Sequence, residues 1–366
     1  MMMSSFMPVR LFWGRNCLKD STYPFNQLGR KALIVTGRHS ADISGALKHV
    51  QTVLKKAGVT YVHFNQVPEN PPLKTVQDAA DLCVEENCDF IMGIGGGSPV
   101  DAAKAVAVAV FNKMNAHDVY DVRRIQGALP LVAVPLTSGT GTEATPFSVL
   151  TDEENGKKAG FGHDSMFPRV SFCDPAYTRT VPPIVTRDTG LDALSHLLEG
   201  VFSTKRNVTL YPLIRQGVLD IMQWLEHAMK NGNDLEARAR LMMASLWGGI
   251  LIAQTGTTLQ HAIGYPLTVR YGVSHGRANG LVLSAIYQLY YPAVKNALYQ
   301  VFGPDASSLG GRLDDWLASF ELTESLTLSR ENISDMVQEV MSARNMANNP
   351  ISVNPSDIET IYQTFC

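Results

Sequence analysis

The chain has 366 residues, 45% of them hydrophobic and 18% charged, and a formal net charge of −3. That composition holds more core material than one ordinary domain needs, and its near-balanced charge excludes a nucleic-acid surface or a polybasic membrane patch. The longest apolar run, "AVAVAVF" at 105–111, is far shorter than the roughly 20 residues of a membrane span.

"MMMSSFMPVR" places no basic residue ahead of a sustained apolar region, so it does not read as a secretory signal. The five cysteines (Cys17, Cys83, Cys88, Cys173 and Cys366) are scattered and lack any CxxC pair. That pattern fits a reducing compartment, and the expected location is the cytoplasm.

The first half alternates strand and helix. "KALIVT" (31–36) predicts a strand, followed by an amphipathic helix from Ile43 to Ala57. "TYVHF" (60–64) and "LKTVQDAADLCVEE" (73–86) repeat the pattern, as do "DFIMGIG" (89–95) and "SPVDAAKAVAVAVF" (98–111). "LPLVAVP" (129–135) is a fourth strand. Apolar strands separated by such helices predict a parallel sheet buried on both faces. Asn155-Gly156, between the strand-like runs of "SVLTDEENGKKAGF" (148–161), predicts a hairpin. After "TVPPIVT" (180–186) the periodicity is helical: 187–203, 209–230, 235–254, 276–291, 310–320, 330–343 and 355–364. The predicted architecture is α/β: a Rossmann-like dinucleotide-binding domain over 1–183, then an all-helical metal-binding domain over 184–366. A ligand cleft is expected between them.

"GIGGGSPVDAAK" (93–104) stands where a strand ends and a helix begins. Gly95, Gly96 and Gly97 let backbone amides approach a pyrophosphate, the helix N-terminus offers unpaired N–H groups, and Ser98 adds a hydroxyl. The alternative is a turn that serves only strand–helix packing. "PLTSGTGTEAT" (135–145), rich in Gly and hydroxyls, follows the next strand and is expected to line the same crevice.

Asp192 and His196 in "RDTGLDALSHLLEG" (187–200) lie at i and i+4, on one face of a helix. Read alone, Asp192, His196 and Glu199 form a solvated polar stripe opposite Leu191, Leu194 and Leu198. His261 and His275 alter that reading. Pro266 is expected to stop the helix carrying His261, and Gly272 marks a turn before a second helix opened by His275. Both stretches are apolar enough to be interior, where an unpartnered histidine is costly. Three imidazoles and a carboxylate suit iron(II) or zinc, with one position left for substrate.

With these motifs in hand, the sequence resembles the iron-containing (group III) alcohol dehydrogenases over essentially its whole length. The resemblance is carried, in order, by "GIGGGSPVDAAKA" (93–105), "PLTSGTGTEAT" (135–145), "TGLDALSHLLEG" (189–200), "AQTGTTLQHAIGYPL" (253–267) and "YGVSHGRANGLVL" (271–283). Within the family it is most similar to the lactaldehyde and 1,3-propanediol reductases and related butanol dehydrogenases. The resemblance implies metal ligands at Asp192, His196, His261 and His275. It implies dinucleotide contacts at Asn70, Gly95 to Ser98, Asp101, Thr137, Ser138, Thr140 and Thr145, and at Lys158, with Lys157 an alternative for that lysine. It also implies a homodimer. Many members carry a histidine where this chain has Tyr265, which is taken as a catalytic candidate. The usual "PTT" is Pro135-Leu136-Thr137 here, one hydroxyl fewer.

The implied chemistry is reversible hydride transfer between an alcohol carbon and nicotinamide C4, with the dication as Lewis acid. Cofactor choice is read from "ALIVTGRHS": Gly37, Arg38, His39 and Ser40 follow the strand with no carboxylate until Asp42, whereas a residue that holds a ribose 2′-OH is usually acidic. NADP(H) is therefore expected over NAD(H). Dehydroquinate synthase-like and glycerol-phosphate dehydrogenase-like enzymes share the architecture but take anionic substrates. Near the predicted metal helices only Arg270 and Arg277 interrupt a largely apolar sequence, which points to a small neutral alcohol or aldehyde.

Overall fold

A computed structural model describes residues 4–154, 156–323 and 326–365. Its first half contains β1 (Arg10–Trp13), β2 (Lys31–Thr36), α1 (Ser40–Ile43), α2 (Ala46–Lys56), β3 (Thr60–Phe64), α3 (Leu73–Glu85), β4 (Phe90–Gly95), α4 (Gly97–Asn112), β5 (Leu131–Pro135), β6 (Phe147–Asp152), β7 (Lys157–Gly162) and β8 (Val170–Cys173). Among the described residues one sheet has six strands in the order β1-β8-β5-β4-β2-β3, every neighbouring pair parallel. The antiparallel ribbon β6-β7 stands apart from it. Of its expected turn, Asn155 lies outside the described residues, while Gly156 has φ +61°.

Both faces of the sheet are covered. Leu33, Val35 and Ile91 pack with α3 and α4, while Ala32, Ile34 and Met92 pack with α2. Strands buried on both sides gain nothing from polar alternation, so they read as continuous apolar runs. β2 sends the chain outward to β3, and β4 returns on the other side of β2. The strand order therefore reverses between β2 and β4, and the crevice beyond their carboxyl ends is where such sheets bind ligands. Register puts Thr36 beside Ile94 and Gly95 beside Pro135, so the segments that follow β2, β4 and β5 line one edge.

The second half runs α5 (Pro183–Phe202), α6 (Tyr211–Lys230), α7 (Leu235–Thr255), α8 (Leu259–Tyr271), α9 (His275–Phe302), α10 (Ala306–Ala318), α11 (Arg330–Met341) and α12 (Pro355–Gln363) around one contiguous apolar core. The fold is thus a Rossmann-like parallel-sheet domain followed by a helical one.

Three expectations are corrected. Pro183 occupies the first turn of α5, where its missing N–H costs nothing, so the helix starts before residue 187. Pro266 does not stop the helix that carries His261, because α8 continues to Tyr271. An internal proline forfeits a hydrogen bond, and the burial of Leu259, Ile263, Pro266 and Leu267 along α8 offsets that loss. Pro292 is carried through α9 in the same way, with Val294, Leu298 and Val301 buried beyond it.

Candidate metal and cofactor site

Asp192, His196 and Glu199 lie on one face of α5, and that face points inward: they are 3%, 4% and 0% exposed. The polar stripe is therefore not a solvated one. His261 lies in the first turn of α8, and His275 opens α9. A Cβ on Gly276 would collide with the Asp188 carbonyl and stand 3.1 Å from Asp192 Cβ. Its absence lets the start of α9 lie against α5, bringing His275 to Asp192.

The four side chains converge. Asp192 Oδ1 lies 3.8 Å from His196 Nε2, 3.6 Å from His261 Nε2 and 3.6 Å from His275 Nε2. The His196 and His261 Nε2 atoms are 3.0 Å apart, with the two rings stacked. Ligands held about 2.1 Å from one ion at tetrahedral angles stand about 3.4 Å apart, which these separations bracket. The donor set makes the same point. His196 Nδ1 faces the Gly139 carbonyl at 3.3 Å, and His261 Nδ1 faces the Glu199 carboxylate. Both partners only accept, so each ring carries its proton on Nδ1 and turns an Nε2 lone pair inward. Two lone pairs at 3.0 Å repel unless a metal ion or a proton lies between them. The residues fit a divalent metal.

The four groups also shift one another's protonation. Burial pushes the Asp192 carboxyl up, but His196, His275 and His261 outweigh it and hold the group well below the usual carboxylate range. Burial lowers His196, with Asp192 opposing, and burial followed by Lys158 drives His275 well below its ordinary value. Burial also works against charge on His261, yet Glu199 and Asp192 lift it to about 9, so without a metal ion Nε2 takes a proton that a bound cation would displace.

Two residues at this site escaped the sequence reading. Glu199 was visible there only as part of a polar stripe, and Asn279 not at all. The Asn279 amide donates to Asp192 Oδ1 at 3.0 Å and lies 3.2 Å from His261 Nε2. It is one helical turn beyond His275 on α9, and that i+4 spacing is the signal that could have found it. Tyr265, the catalytic candidate, is stacked on His275 with ring centroids 5.4 Å apart, and Lys158 Nζ sits 5.9 Å from the Tyr265 centroid. The tyrosine thus forms a wall against the ligand cluster, and the lysine reaches it from the β6-β7 ribbon.

At the sheet edge, Gly95, Gly96 and Gly97 join β4 to α4. A Cβ on Gly97 would meet Thr140 Cγ2 at 2.8 Å, and one on Gly96 would meet Thr137 Oγ1 at 3.1 Å. The triple glycine therefore admits close packing of the 137–145 loop as well as any phosphate, and the packing alternative is partly right. Ser138 Oγ is buried with no protein partner among the described residues, which fits a ligand oxygen. Ser98 Oγ accepts from the Asn70 amide at 3.2 Å, tying that residue to the cradle. Gly37 to Ser40 follow β2 on the same edge, with Arg38, His39 and Ser40 exposed.

Two of the expected cofactor contacts are also bonded within the protein. Asp101 accepts from Thr142 Oγ1 at 2.7 Å and the Val149 amide at 2.9 Å, and Thr145 Oγ1 lies 3.2 Å from the buried Lys104 ammonium. These bonds hold the loop to the cradle helix. Leu136, which replaces a hydroxyl, is 2% exposed and packs under the sheet, so the cleft loses nothing by it.

Comparison with known proteins identifies the family. Residues 8–175 match the family of iron-containing alcohol dehydrogenases, and residues 186–366 match the C-terminal part of the Fe-containing alcohol dehydrogenase family. An iron-containing alcohol dehydrogenase from Thermotoga maritima superimposes with a TM-score of 0.92 at 36% identity, covering 99% of each chain. A long-chain-alcohol dehydrogenase of Geobacillus thermodenitrificans is 30% identical over 96% of this chain and 93% of its own. The NADH-dependent butanol dehydrogenase A of Clostridium acetobutylicum is 30% identical over 74% of this chain and 71% of its own. The chain belongs to the iron-containing alcohol dehydrogenase family. No helix among the described residues is long and apolar enough to cross a membrane.

Proposed function

We propose that this protein is a metal-dependent alcohol dehydrogenase or aldehyde reductase that moves a hydride between NADP(H) and a small neutral primary alcohol or aldehyde. The observation that carries the reading is the pair of inward Nε2 lone pairs beside Asp192, one of them on a histidine hydrogen-bonded to the loop that packs on the triple glycine. Asp192, His196, His261 and His275 would hold the divalent ion, iron or zinc, which supplies Lewis acidity toward an alcohol or carbonyl oxygen. The dinucleotide supplies the hydride-exchanging ring. The chain positions both: the amides of residues 95–98 and the Ser138 hydroxyl orient the diphosphate, while Tyr265 and His275 wall the reacting space. The scheme needs no side-chain general base.

A neutral substrate is supported by the fate of the arginines. Arg270 pairs with Glu339 at 3.3 Å, and Arg277 Nε donates to the Leu322 carbonyl at 2.7 Å. An enzyme of the dehydroquinate synthase or glycerol-phosphate dehydrogenase type would need such cations for its substrate. NADP(H) preference rests on Gly37 and on Arg38, His39 and Ser40 beside it, against a butanol dehydrogenase relative named for NADH.

The test is NADPH oxidation with C2 to C6 aldehydes by protein reconstituted with iron(II) or zinc, repeated with NADH. Turnover with NADPH at a kcat/KM exceeding that with NADH is the expected result. Absence of turnover with every aldehyde and both coenzymes overturns the reading, and a clear NADH preference overturns its cofactor part.

A further inference from the structure

Glu199 is the most deeply buried carboxylate among the described residues of the helical half, and each of its oxygens is engaged by a different part of α8. Oε1 accepts from the Thr258 amide at 2.6 Å and from Thr258 Oγ1 at 2.8 Å. Oε2 pairs with His261 Nδ1. Thr258 is the N-cap of α8, so Oε1 satisfies an N–H at the start of that helix and lies at its positive dipole end. Leu259, the next residue, donates its amide to Asn349 Oδ1 at 2.9 Å. The first turn of α8 is thus held by side chains from outside the helix, and one of them is also bonded to the histidine ring that the turn presents.

We infer that Glu199 is the positioning residue of the metal site: it anchors the N-terminus of α8 and, through the same carboxylate, fixes His261 in the tautomer that directs Nε2 at the metal. This rests on the metal-site reading above and assigns a duty to a residue outside the ligand set. A ligating imidazole is ordinarily held by an acceptor on its other nitrogen, and loss of that acceptor costs about 10–100-fold in metal affinity. The i, i+4, i+7 run of Asp192, His196 and Glu199 lets one face of α5 supply two ligands and the orienting group of a third.

Only a carboxylate can do this. Three donors converge on Glu199, so both oxygens must accept. The amide of glutamine has the same shape but one accepting end, and its NH2 group would face either the Thr258 donors or His261 Nδ1–H. One of the two attachments is then lost, whichever way the amide turns.

The experiment uses the full chain, stripped with chelator, as wild type and Glu199→Gln. Zinc affinity is measured by competition with a chromophoric chelator, and the cobalt(II) d–d spectrum of each protein is recorded. The expected result is a 10–100-fold weaker zinc affinity and an altered cobalt spectrum in E199Q, with unchanged far-ultraviolet circular dichroism before metal is added. Equal affinity and identical spectra in the two proteins overturn the proposal. Failure of the wild type to bind zinc or cobalt instead defeats the metal-site reading itself. Should E199Q not fold, the zinc-loaded wild type labelled with 15N-histidine decides, with His261 assigned by difference against His261→Asn. A protonated Nδ1 and a metal-shifted Nε2 support the role of Glu199, and the opposite tautomer overturns it.

Discussion

His196 joins the two halves of the molecule at one atom pair, its Nδ1 lying 3.3 Å from the carbonyl oxygen of Gly139. Gly139 belongs to the loop that packs on the phosphate cradle, and a Cβ there would meet Thr189 Cβ on α5 at 2.7 Å. One hydrogen bond therefore ties a proposed metal ligand to the proposed coenzyme loop. Disturbance on either side should register on the other.

Replacing His196 with alanine removes both the ligand and this tie. Zinc affinity should fall by more than the about 10–100-fold typical of losing an orienting partner, and the KM for NADPH should rise as well. Metal content after dialysis and steady-state kinetics check both effects. An unchanged coenzyme KM would show that the hydrogen bond carries no coupling.

Gly97→Ala places a methyl group 2.8 Å from Thr140 Cγ2. Overpacking of this kind costs about 1–3 kcal/mol, and here it pushes the 137–145 loop away from the cradle. The KM for NADPH should rise about 10-fold, and zinc affinity should fall by a smaller factor through Gly139. Coenzyme titration by fluorescence, set beside the zinc competition assay, separates the two.

Gly37→Asp adds a carboxylate at the end of β2, where a Cβ has the Val67 carbonyl 3.3 Å away and Ser40 Oγ at an ordinary 3.9 Å. Repulsion of a 2′-phosphate and a new acceptor for a 2′-OH should shift the kcat/KM ratio toward NADH by about 10-fold, or about 1.4 kcal/mol. A ratio unmoved by this substitution would place coenzyme selection elsewhere.

Glu143 is 2% exposed, and burial raises its carboxyl from the ordinary 4.5 to about 7, with its own backbone N–H and Lys104 opposing. The folded chain therefore binds this proton more tightly than the unfolded one. Its contribution to stability is complete below pH 4.5 and is lost as pH rises through 7. Glu143→Gln removes that dependence, so the variant should gain on the wild type by up to about 1.4 kcal/mol per pH unit across the window. Denaturant midpoints of both proteins at pH 5 and pH 7 give the comparison, and parallel profiles would contradict it.

Lys104 is fully buried beside that carboxylate, and burial lowers its pKa to about 8. It donates to the Thr142 and Phe147 carbonyls at 2.7 and 2.9 Å. Lys104→Met would leave both carbonyls and Asp101 without their cation, a loss of about 3 kcal/mol in unfolding free energy. Thermal denaturation measures it.

Much of this was legible beforehand because periodicity and turn residues report local structure directly. The strands of "KALIVT", "TYVHF", "DFIMGIG" and "LPLVAVP" appear within two residues of expectation, as do α3 and α4. β1 and β8 were missed. "RLFW" and "VSFC" are four residues each, too short to show a period, and they become strands only because they pair with each other and β8 pairs with β5. Pro266 misled for a related reason, since its cost is local and its compensation is tertiary, and the helix expected over 276–291 likewise runs on through Pro292 to Phe302. At the site, the i, i+4 and loop logic brought together Asp192, His196, His261 and His275. It was silent on which polar residues face inward, so the bonds by which Asp101 and Thr145 secure the loop went unseen, and Glu199 was left among solvated residues.

Gly141 and Gly249 meet backbone to backbone where the 137–145 loop crosses α7, and a side chain on either would overlap the other's main chain. Neither position can drift alone. A chimera that grafts this α/β half onto the helices of a distant relative should therefore fail at that seam unless both glycines travel together, however well the remaining surfaces match.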